Sequence, residues 1–216
     1  MIAVLAGDII KSSRLTPEEL QNVKDCIVET CDELREKFPE IGLSKPFFYR
    51  GDGWQVAMKS APAALKVAVF IYAGLRQQNI ARSRIAIGVG ETEKLDLENL
   101  DQSSGEAFER AGHCLDKMNT RSFDIDFATA ENSEYLNVKD DGLFALTMCV
   151  AALISDWTAR QAQIALVALF HIDQTNDDVA KLLNPPISQQ AISDSLRSSK
   201  FFAVIGAITA FSNILS

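Results

Sequence analysis

Apolar positions follow two rhythms along this chain. Ile2 to Ala6 is an unbroken apolar run of strand length that stops at Gly7-Asp8. Thr16, Pro17 and Glu19 then make a capping box at the head of a long helix, in which Leu20, Val23, Ile27, Leu34 and Phe38 recur at helical spacing. Phe47 to Val56, FFYRGDGWQV, reads as a hairpin of aromatic and β-branched runs about Gly51-Asp52-Gly53. Ser60 and Pro62 open a second helix with Leu65, Ala68, Val69, Tyr72 and Leu75 on its apolar face. Arg84 to Val89 is a further strand, ended by Gly88 and Gly90. A helix capped by Ser104 follows, with Phe108, Ala111, Leu115 and Met118 on one side, and Phe123 to Ala128 is the last strand. The order β-α-β-β-α-β-α-β predicts an α+β domain with a ferredoxin-like core, its helices packed on one face of a largely antiparallel sheet.

From Asn132 onward only the helical rhythm remains. The segments are Gly142 to Ser155, Trp157 to Phe170, Thr175 to Leu183, Ser188 to Ser199 and Phe201 to Leu215, which divides the chain into a first domain (1–131), a connecting helix (132–156) and an all-α domain (157–216). Gly142 to Ser155 is apolar enough to be a core helix or a dimer contact. Thr175 and Ser188 each cap a helix across Leu183-Asn184-Pro185-Pro186-Ile187, with Ala180 and Ile192 placed to pack the two together. The unit resembles the helix-turn-helix of many transcription regulators. That resemblance implies DNA contact through Ser188, Gln189, Gln190, Ser193, Arg197 and Lys200, with the glutamines suited to adenine edges and the bases to phosphate, in a protein acting as a homodimer.

Composition narrows the field. The 216 residues are 47% hydrophobic, which is ample for a core, and the net charge of −8 excludes a protein that coats nucleic acid or anionic membrane without selectivity. Even from Asp156 onward acids outnumber bases by one, so DNA binding there would rest on few phosphate contacts. No secretory signal is read at the N-terminus, and Leu143 to Ser155 is too short to span a bilayer. Cys26, Cys31, Cys114 and Cys149 form neither a CxxC pair nor a disulfide framework, so they are expected to be structural thiols in a reducing cytoplasm.

The candidate chemistry lies in two aspartates. Asp8 ends the first strand and Asp52 sits in the hairpin turn, and strands in this order bring such ends together. Asp-Gly is also ordinary turn chemistry. Two converging carboxylates nevertheless need a cation or an arginine, and hard oxygen donors suit Mg²⁺ or Mn²⁺, which in turn accept nucleotide phosphates.

GDIIKSS, FYRGDGWQV, RIAIGVGE and SGEAFERAGHCLDKM, in that order, resemble the core motifs of class III nucleotidyl cyclases. The resemblance implies that Asp8 and Asp52 hold metal with the Ile9 carbonyl, and that Ile10, Lys11, Ser12 and Ser13 form a phosphate loop, with Arg50 beside it on the nucleotide. Three positions depart from the pattern. Phe48 replaces a purine-selecting lysine, and Glu109 and His113 replace the asparagine and arginine that support the transition state, so ordinary cyclisation is not expected. Gly7-Asp8-Ile9, Gly51-Asp52-Gly53-Trp54-Gln55 and Gly105-Glu106-Ala107-Phe108-Glu109-Arg110-Ala111, followed by a helix-turn-helix, also resemble the SatD family of bacterial proteins over nearly the whole chain. Three readings follow: a transcription regulator whose cyclase-like domain binds metal and nucleotide, a metal-dependent enzyme acting on nucleotide phosphates, and a scaffold without a ligand.

Overall fold

The computed structural model describes residues 1–118, 123–128 and 138–216. Its first strand, β1 (Ile2–Ile9), is followed by α1 (Pro17–Lys37), which starts where the sequence predicts. The Glu19 amide donates to Thr16 Oγ1 at 3.2 Å and the Thr16 amide donates to Glu19 Oε2 at 2.8 Å, satisfying two amides that a helix end leaves open. The hairpin is β2 (Phe47–Tyr49) and β3 (Gly53–Met58), and Gly51 at φ 88° turns the chain between them. Then come α2 (Ala64–Gln78), β4 (Ser83–Gly90), α3 (Glu106–Lys117) and β5 (Ile125–Phe127).

The sheet order is β2-β3-β1-β4-β5. The first four strands pair antiparallel, as in a ferredoxin-like core, and β5 joins the edge parallel to β4. Ala3, Leu5 and Ile9 of β1 face a core shared with α1 and α2, while Ile2, Val4 and Ala6 face Ala107 and Ala111 of α3. Helices therefore cover both faces, against the expectation of one. The reason is β1 itself, apolar at every position from Ile2 to Ala6, so that both of its faces require cover. Gly90 is the last residue of β4, as the sequence predicts, whereas Gly88 lies inside the strand and does not end it. A Cβ on Gly88 would stand 2.3 Å from the Ala107 carbonyl oxygen and 2.5 Å from the Ala111 amide nitrogen, so glycine is what lets α3 lie against the strand.

The remaining helices are α4 (Val138–Ser155), α5 (Ala159–Phe170), α6 (Asn176–Leu182), α7 (Gln189–Ser198) and α8 (Phe201–Leu215). The predicted boundary between residues 131 and 132 lies outside the described residues. Thr158 caps α5 by its own capping box with Gln161. Helix α5 packs on α2, where Phe70 and Phe170 have ring centroids 4.4 Å apart, and Phe211 of α8 meets Phe127 of β5 at 5.8 Å. Buried Trp157 ties the segments further: its Nε1 donates to the Ser199 carbonyl at 2.8 Å, and its own carbonyl accepts from Arg76 Nε at 2.6 Å. Leu143, Val150 and Ile154 place α4 in the same core. Cys26, Cys31 and Cys114 are buried as expected, and burial pushes the Cys26 thiol up to about 11. Cys149 is exposed, because its position on α4 falls opposite the Val150–Ile154 side. No single helix among the described residues is long and apolar enough to cross a membrane; α7 and α8 reach the length together but bend by 61°.

Candidate ligand cleft and helix-turn-helix

The carboxyl end of β1 opens onto a cleft of about 490 Å³. Asp8 and Ile9 come to its wall from β1, Ile10, Lys11, Ser12 and Ser13 from the loop that follows, and Asp52 from the hairpin. Antiparallel register explains the convergence: Asp8 pairs with Gly53, so the hairpin turn lies beside the end of β1, and the Ile9 amide donates to the Asp52 carbonyl at 3.1 Å. Ser12 Oγ donates to Asp52 Oδ2. The loop is held by the Ile10 amide, which donates to the Arg82 carbonyl at 2.8 Å, and Lys11 takes a left-handed conformation at φ 58° before the single turn Ser12–Arg14.

Arg50 is not part of this wall. It is exposed at the hairpin turn with φ 50°, because the turn that presents Asp52 to the cleft carries the residue two positions earlier outward.

The opposite wall holds what sequence reasoning missed. Arg82 and Arg84 enter from the start of β4, and Met118, Phe123 and Asp124 from the ends of α3 and β5. Asp8 pairs with Arg84 in the β1–β4 register, on the same face of the sheet. The guanidinium forks onto the carboxylate, with Nε donating to Oδ1 at 2.7 Å and Nη2 donating to Oδ2. Arg82 Nε stands 3.3 Å from Asp124 Oδ2. Burial raises the Asp124 carboxyl above its ordinary value, with Arg82 and Arg76 pulling the other way. Burial raises the Tyr49 phenol in the same manner, and Asp8 adds to the effect. The cleft thus carries three acids, Asp8, Asp52 and Asp124, against three bases, Lys11, Arg82 and Arg84. One signal pointed to Arg84: it is the lone charge in an otherwise apolar strand run, in register with the only charge of β1.

Among the described residues no group of three or more His, Cys, Asp or Glu side chains is placed to hold a metal ion. At the β1 end the oxygen donors are the carboxylates of Asp8 and Asp52 and the Ile9 backbone, while the third acid, Asp124, is paired with Arg82. Glu109 and His113 are both exposed on α3, and Phe48 lies under the ammonium of Lys24, 5.6 Å from the ring centroid.

In the C-terminal region α6 and α7 are joined through residues 183–188, and Val179, Ala180, Ile192 and Leu196 are buried between and behind them. Thr175 Oγ1 accepts from the Asp178 amide at 3.3 Å and Ser188 Oγ from the Ala191 amide at 3.2 Å. Ser188 is therefore a cap, and Ser193 accepts from Asn176 Nδ2 at 3.0 Å, a bond between the two helices. Gln189, Gln190, Arg197 and Lys200 are exposed. Gln190 Nε2 donates to both oxygens of Asp194 at 3.1 Å, and Arg197 Nη1 lies 3.4 Å from the same carboxylate.

No family model and no curated protein matches the chain. Among solved structures, a bacterial light-regulated adenylyl cyclase aligns with 58% of this chain and 74% of its own, at 13% identity and a TM-score of 0.42.

Proposed function

We propose that this protein is a ligand-responsive regulator, in which the cleft beside β1 binds a nucleotide phosphate with a divalent cation and the α6–α7 unit contacts DNA. The observation that carries the reading is the gathering of Asp8, Asp52 and the whole 10–13 loop on one cleft, although Asp8 and Asp52 are 44 residues apart. Their donor chemistry fits one hard cation: the carboxylates of Asp8 and Asp52 and the Ile9 carbonyl would hold Mg²⁺ or Mn²⁺. Such an ion supplies charge neutralisation for phosphate. Lys11, Ser12 and Ser13 offer an ammonium and two hydroxyls for the phosphate itself. The exposed Glu109 and His113 give no fixed positive charge for a transition state, which supports binding over ordinary cyclisation.

For the C-terminal unit the support is the exposed row Gln189, Gln190 and Arg197 on a capped helix, with a homodimer setting two such rows on half-sites about one helical turn of DNA apart.

The test is thermal unfolding with Mn²⁺ or Mg²⁺, alone and with ATP or GTP. A ligand at a hundredfold excess over Kd adds about 2.7 kcal/mol, or roughly 5–10 °C for a chain of this size. Asp8→Ala and Asp52→Ala should each remove that gain. Equal gains in the wild type and both variants would overturn the assignment.

A further inference from the structure

We propose that Arg84 is a resident cation of the cleft, seated on Asp8 in the ligand-free protein and transferred to a ligand phosphate when a divalent ion takes the carboxylate. The proposal rests on the reading of the cleft as a metal and phosphate site.

Both Asp8 oxygens are engaged by the Arg84 fork, the strongest geometry a carboxylate has with a protein cation. Yet the pair is not sealed: the side chains are 22% and 25% exposed, and both residues line the cleft. A divalent ion joining Asp8 with the guanidinium in place would put two cations on one carboxylate at contact distance, so the ion and the Arg84 fork compete for it. Release from Asp8 costs Arg84 a bidentate ion pair, and a new acceptor in the cleft offsets that cost. The same cleft supplies that acceptor once it holds phosphate, and there Arg84 would stand with Lys11 and Arg82 as three cations on one ligand. Divalent ion and phosphate therefore favour the same displaced position of Arg84, so each should strengthen the other's binding by the same factor.

The experiment follows free Mn²⁺ by electron paramagnetic resonance during titration of the full chain, with and without ATP, alongside the thermal melt. Wild type should bind Mn²⁺ weakly alone and about tenfold or more tightly with ATP present. Arg84→Met leaves Asp8 open, so it should bind Mn²⁺ alone about tenfold more tightly than wild type, and ATP should add little. Asp8→Ala in that background should abolish the gain. Arg84→Lys keeps the charge without the fork and should also bind Mn²⁺ more tightly than wild type, which keeps the test available if Arg84→Met does not fold. Equal Mn²⁺ affinity in wild type and the Arg84 variants, with ATP coupling retained, would overturn this proposal and leave the cleft assignment standing. No Mn²⁺ on any of them would overturn both. Mn²⁺ binding to the Arg84 variants alone would support the resident cation while removing the nucleotide assignment.

Discussion

Gly88→Ala probes the contact on which the second layer of the fold depends. The added methyl would meet the Ala107 oxygen at 2.3 Å, the Ala111 nitrogen at 2.5 Å and the Ala111 Cα at 3.0 Å, where ordinary contact begins at 3.4 Å. All three are backbone atoms and cannot rotate away, so α3 would have to retreat by about 1 Å, a gap that forfeits a quarter to a half of each dispersion contact along it. Ala107, Ala111 and Leu115 all lie on that side. Overpacking of this kind costs about 2–3 kcal/mol, so the melting temperature should fall by roughly 4–12 °C. Gly112→Ala is the internal control: it sits on the same helix, its Cβ would meet nothing within 4 Å, and alanine in a helix interior is worth roughly 0.5–1 kcal/mol over glycine. Calorimetry of the three proteins side by side decides the matter. Gly88→Ala melting at or above wild type, or Gly112→Ala losing as much, would refute the close-approach argument.

Trp157→Phe removes the donor that satisfies the buried Ser199 carbonyl and should cost at least about 1–3 kcal/mol by urea unfolding; a neutral result would mean that this junction is not a stabilising tie. Asp194→Asn releases Gln190 and Arg197 from their shared carboxylate, so on DNA fragments selected by the wild-type protein it should bind several-fold more tightly, and weaker binding would count against α7 as the reading helix. Asp124 has a raised native pKa, so it is protonated in both states at low pH; stability is lost as pH rises from the ordinary value of 3.8 through the native one. The stability difference between Asp124→Asn and wild type should therefore grow in the variant's favour over that window, and a difference that stays flat with pH would show that Arg82 offsets the burial fully.

Local signals were legible because they are made by neighbours in sequence. The Thr16–Glu19 box, the Gly51-Asp52-Gly53 turn and the caps at Thr175 and Ser188 each satisfy backbone groups within a few residues, and each stands where the pattern put it. The order of strands and helices was equally legible, since periods of 2 and 3.6 are local properties. Asp8 and Asp52 could be nominated as partners because a hairpin beside a first strand follows from that order.

Other features depended on which residues register and packing set side by side. Sequence position alone made Gly88 a strand terminator, and only the close approach of α3, whose Ala107 oxygen lies 2.3 Å from where a Cβ would sit, turned it into the floor of a helix–sheet contact. Arg50, two residues before Asp52 in sequence, turned outward, whereas Arg84, 76 positions from Asp8, closed on it. Local pattern is enough to give the elements, their order and the residue types available to the cleft. Which cation meets Asp8 and which faces are covered depend on the folded chain, because cross-strand register and interlayer distance arise from contacts between segments that no local pattern encodes.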